Sequence, residues 1–131
     1  MDNARRMFEA DTASLSLGIE LLSLETGRAV CRMPVTKQMI NGHALCHGGY
    51  VFLLADTAFA CACNSHGPVT VAAGADITFV RSAHEGDVLT AEAVERVSYG
   101  RSGLYDITVR DAVGEVVAEF RGRSRELPHA R

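Results

Sequence analysis

The chain has 131 residues, enough for one domain with a real core and short for two. Hydrophobic residues make up 47% and charged residues 22%, a globular balance that excludes a disordered chain. A net charge of -3 leaves no basic excess for nucleic acid or an anionic membrane surface.

Residues 1–12 are polar with Met7 and Phe8 on one side, and read as a short helix. Leu15, Leu17, Ile19 and Leu21 alternate with Ser14, Ser16, Gly18 and Glu20, the period-2 pattern of a half-buried strand. A turn at 25–28 leads into a second short strand over 29–34. A loop over 35–47 follows and holds Asn41, Gly42, His43 and His47. Residues 48–65, GGYVFLLADTAFACACNS, contain one charge, Asp56. The run is too short and too rich in Gly, Ala and polar residues for a bilayer span, which takes about 20 apolar residues. A carboxylate at mid-bilayer is also costly. A buried helix is expected instead, apolar around its whole circumference and wrapped by protein on nearly all sides. Asn64-Ser65-His66-Gly67-Pro68 ends it.

Four longer strands are expected after Pro68. Val69, Val71, Ala73, Ala75, Ile77 and Phe79 form one alternating stripe, and residues 88–98 are strand-like. Tyr105, Ile107 and Val109 form the next stripe, and Val116, Ala118 and Phe120 the last. Turn residues at 85–87, 99–101 and 111–114 separate them. The sum is one α+β domain over 1–131, an antiparallel sheet around a long central helix. Bare helix faces and sheet edges invite a second copy of the chain. The four cysteines form no disulfide framework and the start leads into no signal-type apolar run, so a cytoplasmic protein with reduced thiols is expected.

Chemistry concentrates at Asn41-Gly42-His43-Ala44-Leu45-Cys46-His47-Gly48-Gly49, which feeds the long helix. The first N–H groups of a helix lack intrahelical acceptors and sit at the positive end of its dipole. Gly48 and Gly49 leave those donors unshielded, a seat for an oxygen that gains negative charge. The plainer alternative is that the glycines only ease packing where the helix begins. Asp56 is the sharper signal, because a carboxylate in an apolar helix needs a partner, a raised pKa or a task. The helix rises about 13.5 Å from His47 to Asp56 and about 10.5 Å from Gly49 to Asp56. Neither group reaches Asp56 within one straight helix. If the helix start and Asp56 serve one reaction, they come from two antiparallel helices across a two-fold axis, with two equivalent sites per dimer. The plainer alternative is a structural Asp bonded to backbone or a hydroxyl.

Other groups carry weaker signals. Cys46-His47 lacks an orienting third group for a thiolate nucleophile. Cys61 and Cys63 lie about 200° apart around a helix and read as packing. His43, His66 and His84 lack metal-ligand spacing, so no metal is expected. Arg81, Arg101 with Ser102, and the run Arg121, Arg123 and Arg125 are either phosphate grips or solvated strand ends.

The run HGGYVFLLADTAFACACNSHG, residues 47–67, resembles the motif of hotdog-fold acyl-CoA thioesterases, most of all the phenylacetate-degradation thioesterase subgroup. The likeness continues through Phe79-Val80-Arg81, Gly86-Asp87, Gly100-Arg101-Ser102-Gly103 and Tyr105-Asp106, and spans the chain from about Gly18 to Ser124. The resemblance implies the hotdog fold, dimers with antiparallel central helices, active sites between the chains, and frequent assembly into homotetramers. It implies hydrolysis of an acyl-CoA thioester to free acid and CoA, with CoA a part of the substrate and no separate cofactor. By matching position, Asp56 would be the catalytic carboxylate, as nucleophile or general base. The Gly48 N–H of the other chain would polarise the thioester carbonyl, His47 would orient the thioester, and Asn41 would position the carbonyl or water.

Gly49, Thr57, Phe52 and Ala60 would adjoin the substrate. Leu53, Phe59, Met39 and Ile40 would share an acyl pocket suited to an aryl or medium acyl group. Arg101 and Ser102 match positions near the nucleotide end of CoA, and Arg81 and Arg123 are weaker matches. Relatives that place a Ser or Thr on the strand after the helix find no counterpart in Ala72-Ala73-Gly74-Ala75. The alternatives are a hotdog enoyl-CoA hydratase or dehydratase, for which no separate acid or base His is placed, and a non-catalytic acyl-CoA-binding module.

Overall fold

The longest apolar run of the chain becomes its central helix. In the computed structural model, which describes residues 1–128, this helix is α3, Gly48–Asn64. Leu54, Ala55, Ala58, Phe59, Cys61 and Ala62 are at most 1% exposed. Full burial of a Leu or Phe side chain contributes about 1.5–3 kcal/mol, so α3 is held by its packing. Its end is fixed by hydrogen bonds. Asn64 Nδ2 donates to Ala60 O and Thr70 O, while Asn64 Oδ1 accepts from Asn3 Nδ2 and Thr70 N–H. Ser65 Oγ donates to Ala62 O and accepts from Gly27 N–H.

Six strands form one antiparallel sheet around α3: β1 Glu20–Glu25, β2 Arg28–Pro34, β3 Thr70–Phe79, β4 Val88–Tyr99, β5 Ser102–Arg110 and β6 Val116–Glu126. Their order across the sheet is β1-β2-β4-β5-β6-β3, which leaves β1 and β3 at the edges. The sheet closes on the helix most tightly at β6, where Gly122 faces Phe59. A Cβ at Gly122 would lie 2.7 Å from three ring carbons of Phe59, so only glycine lets the strand come this close. Phe59 then packs against Tyr105 and Phe120 at ring-centroid distances of 5.6 and 5.9 Å.

The N-terminal segment differs from expectation. The first helix, α1, spans Asp2–Glu9, and a second short helix, α2, spans Thr12–Ser16 where the alternation of Leu15 and Leu17 predicts a strand. Asp11 caps α2 by accepting the Ser14 N–H at 3.0 Å. Gly18, with φ +77°, then turns the chain toward β1, which begins only at Glu20. Leu15 is left exposed.

Two strands also depart from a uniform alternation. The β3–β6 register shifts between Ala72 and Gly74. Ala75, Ile77 and Phe79 pair with Gly122, Phe120 and Ala118 of the inner face, while Val71 pairs with Arg125. The expected single stripe from Val69 to Phe79 is therefore split by a bulge. β6 runs on to Glu126, six residues past Phe120, because small Gly122 and Ser124 keep the inward positions beneath Phe59 and Gly103.

α1, α2 and the sheet do not enclose α3 on every side. Gly49, Phe52, Leu53, Asp56 and Ala60, spaced at three and four residues, form one stripe that stays partly open. The long helix is thus bare along the face that carries Asp56.

Candidate active site

The loop before α3 is pinned at several points. Cys46 N–H donates to Ala83 O at 2.8 Å and His47 N–H to Met39 O at 2.7 Å, with a bridge between Ile40 and Cys46. Within the loop, Asn41 Oδ1 accepts the N–H groups of His43 and Leu45 at 2.9 and 3.2 Å. That uses the acceptor half of its amide and leaves the Nδ2 donors for a ligand.

The helix start is more selective than two bare glycines would be. His47 is the N-cap of α3, and its Nδ1 accepts the Gly49 N–H at 3.0 Å. Accepting at Nδ1 requires that nitrogen to be unprotonated, so the ring hydrogen sits on Nε2 and points outward as a donor. The Gly49 N–H is therefore occupied, contrary to the expectation that both glycine donors stand open. The Gly48 N–H has no acceptor among the described residues. The Phe79 ring lies over Gly48, and a Cβ there would come within 2.9 Å of it.

Asn41 and Gly48 open into one cleft of about 350 Å³, walled by Leu45, Val51, Phe79, Val80 and Val117. Arg81 stands at its rim, exposed, its guanidinium 3.7 Å from Glu115. Asn41 and Gly48 both border this cleft beside the positive end of the helix, and the Asn41 Nδ2 and Gly48 N–H groups are its candidate donors for a carbonyl oxygen.

Asp56 lies two turns further along α3, about 12 Å of rise from Gly48. It forms no hydrogen bond with the described residues, and its carboxyl is held above the usual carboxylate range, first by burial and second by the negative charge of Asp11. Arg101 and Ser102 lie elsewhere, on the β4–β5 hairpin. They line a second cleft of about 240 Å³ with Cys63, His66 and Tyr105, at the C-terminal end of α3. One chain therefore brings Asn41, Gly48 and Arg81 to one cleft, with His47 capping the helix beside it, and leaves Asp56 and the pair Arg101 and Ser102 apart from them.

Three expected pocket residues sit differently. Thr57 is buried, its hydroxyl engaged by Ser14 and Leu53 O, so it does not face a substrate. Phe59 and Met39 are each 1% exposed and belong to the core. Phe52 is half-buried against Phe120, ring centroids 5.1 Å apart, and shares the open stripe with Ala60. Among the described residues no three His, Cys, Asp or Glu side chains group as a metal site, and no helix is long and apolar enough to cross a membrane.

Residues 43–118, from the loop before α3 into β6, match the thioesterase superfamily. The chain belongs to this superfamily. It is 47% identical over 125 residues to the acyl-coenzyme A thioesterase PaaI of Escherichia coli (strain K12), a match covering 95% of this chain and 89% of that protein. The structure of the E. coli PaaI protein from the phenylacetic acid degradation operon superposes with a TM-score of 0.95 at 46% identity, over 98% of this chain and 94% of that one. A mutant of the phenylacetic acid degradation protein PaaI from Thermus thermophilus does so with a TM-score of 0.86 at 34% identity, over 89% and 100%. The hotdog architecture is thereby established for this chain.

Within this thioesterase, sequence reasoning missed two things. Phe79 reads only as the end of a strand stripe, yet its ring lies over the helix start. Asp11 reads as a helix-end residue, yet its charge acts on Asp56. The Asp-x-x-Ser spacing of Asp11 and Ser14 is a capping signal that gives no hint of a neighbour 45 residues away.

Proposed function

We propose that this thioesterase hydrolyses aryl-acetyl-CoA, of the phenylacetyl or hydroxyphenylacetyl type, and related acyl-CoA thioesters, at sites shared between two copies of the chain. One observation carries the reading: Asp56, a carboxylate with no hydrogen-bond partner among the described residues, lies on the one stripe of α3 that its own sheet leaves open. The relatives named for acyl-CoA hydrolysis and for phenylacetic acid degradation support the substrate class.

Helix arithmetic supports the shared site. Two antiparallel α3 helices related by a two-fold axis near Phe52 set residue 48 of one opposite residue 56 of the other. Gly49 and Ala60 on the same stripe are small enough to let the helices approach. In such a dimer the thioester carbonyl accepts hydrogen bonds from the Gly48 N–H and the Asn41 amide. The His47 Nε2–H orients the thioester. Asp56 of the second chain takes a proton from water as the water oxygen bonds to the carbonyl carbon. The C–S bond then breaks, CoA leaves as thiolate, and the proton held by Asp56 restores its thiol. Burial and Asp11 hold the carboxyl above its ordinary value, which strengthens it as a base. Arg101, Ser102 and Arg81 are the candidate grips for the CoA phosphates. Dimers pairing further into tetramers, in the cytoplasm, complete the proposal.

The test is thiol release from phenylacetyl-, short-chain and long-chain acyl-CoA. Turnover of phenylacetyl-CoA is expected, with about a 10²–10⁴-fold loss in Asp56→Ala at unchanged fold. Hydration of an enoyl-CoA without thiol release would make the chain a hydratase. Tight acyl-CoA binding with no turnover would make it a binding module.

A further inference from the structure

Thr57 follows Asp56 on α3, but its hydroxyl points into the N-terminal segment. Thr57 Oγ1 lies 2.8 Å from Ser14 Oγ and 2.9 Å from Leu53 O. Ser14 Oγ lies 2.6 Å from Asp11 Oδ2, and the Ser14 N–H donates to Asp11 Oδ1 at 3.0 Å. Ser14 and Thr57 are 1% and 6% exposed, so the contact between their hydroxyls is dry, while Asp11 is half-buried. Two hydroxyl hydrogens serve three oxygen–oxygen contacts. With Asp11 as a carboxylate, Ser14 donates to Asp11, and the Thr57 hydrogen serves either Ser14 Oγ or Leu53 O. A Thr that only back-bonded to its own helix at Leu53 O would need no second hydroxyl. The Ser14–Thr57 contact does something more: it joins the residue next to Asp56 to a second carboxylate.

We propose that Asp11 is an electrostatic positioning residue for thioester hydrolysis, held near Asp56 by the Ser14–Thr57 hydroxyl pair. This rests on Asp56 being the reacting carboxylate. Asp11 never touches substrate; its charge makes a second negative charge on Asp56 less favourable, adding to the effect of burial. Nothing positive among the described residues offsets it at Asp56. Among the described residues, the Cys63 thiol also lies in the field of Asp56; burial above all pushes it up to about 12, so it is neutral. In the dimer proposed above, His47 of the second copy joins these neighbours. The N-terminal segment thus does more than cover α3: it brings the charge that keeps Asp56 basic.

Asp11→Asn is the discriminating variant, because the Asn Oδ1 still caps the Ser14 N–H while the charge is lost; its Nδ2 then donates to Ser14 Oγ, reversing that one hydrogen bond. Two readouts apply to the full-length protein. One is the carbon-13 NMR titration of the Asp56 carboxyl, assigned by its loss in Asp56→Asn. The other is the pH profile of kcat/KM for thiol release. Both the titration midpoint and the acid limb are expected to fall by roughly half a unit or more. Ser14→Ala, which frees Asp11 to swing toward water, is expected to shift both in the same direction by less, and it serves if Asp11→Asn does not fold. An Asp56 midpoint that stays in place when the Asp11 charge is gone overturns the proposal. Full turnover in Asp56→Asn is a different result and sinks the underlying assignment of Asp56.

Discussion

Asp56 is a residue whose chemistry works against the fold that holds it. Burial and Asp11 raise its pKa in the folded chain above the unfolded value near 3.8. Between those two values the folded state binds more protons than the unfolded one, so stability falls as pH rises through that window. Above that window the full penalty of carrying a part-buried charge remains. Asp56→Asn is therefore expected to melt at a higher temperature than the native chain at about pH 7, with no advantage at about pH 3, where both carry a neutral side chain. Thermal melts at the two pH values read this directly. A variant less stable at neutral pH would mean that the carboxylate supports the fold, as an ordinary buried structural Asp does.

At the scale of elements, the start of α3 separates structure from chemistry within three residues. His47 satisfies the Gly49 N–H, which leaves the Gly48 N–H as the single open donor of the pair. Gly48 is the first helical residue, a position where proline is well tolerated because its missing N–H has no helical partner. His47 already has the extended backbone, φ -61° and ψ 133°, that a following proline requires. Gly48→Pro is therefore expected to fold, with the Phe79 ring swinging aside, since Phe79 is 53% exposed. It should cost about 10²–10³ in kcat for thiol release, the usual effect of deleting one oxyanion donor. Unchanged kcat in a folded Gly48→Pro enzyme would move the oxyanion seat elsewhere.

The elements that could be read ahead of the structure share a cause with those that could not. α3 was legible because an apolar run longer than a strand, with a single charge, has few other outcomes, and β5 because Tyr105, Ile107 and Val109 alternate along it, whereas the small inward residues Ala91 and Ala93 blur the pattern of β4. β6 was legible only to Phe120, because its inward positions then pass to Gly122 and Ser124, which pack by being small and carry no hydrophobic signal. β1 was displaced by a local competitor: the Asp11 cap turns Thr12–Ser16 into a helix before the Leu alternation can form a strand. The site followed the same division. Asp56 and Gly48 stand out by type and spacing, whereas the engagement of Gly49 by His47 and of Thr57 by Ser14 depends on side-chain direction, which spacing does not encode.

The whole molecule raises a question of completeness, since one chain holds an oxyanion seat and a carboxylate that are about 12 Å apart along a rigid helix. The stripe of Gly49, Phe52, Leu53, Asp56 and Ala60 is open, and the edge strand β3 exposes Val71 and Phe79, the latter with its ring over the helix start. If two chains share each site, Asp56→Asn and Gly48→Pro damage different halves of it. Each pure variant is then inactive. In a mixed dimer, one site combines both damaged halves, and the other combines the intact Gly48 of the first variant with the intact Asp56 of the second. Unfolding and refolding the two variants together in equal amounts makes about half of the dimers mixed, each with one whole site. About a quarter of the native activity should return. A site built within a single chain predicts no recovery at any ratio, because every chain in the mixture lacks one of the two groups. The same experiment run at rising protein concentration separates slow reassociation from a true absence of sharing, since recovery by mixed dimers increases with concentration until the dimers are fully formed.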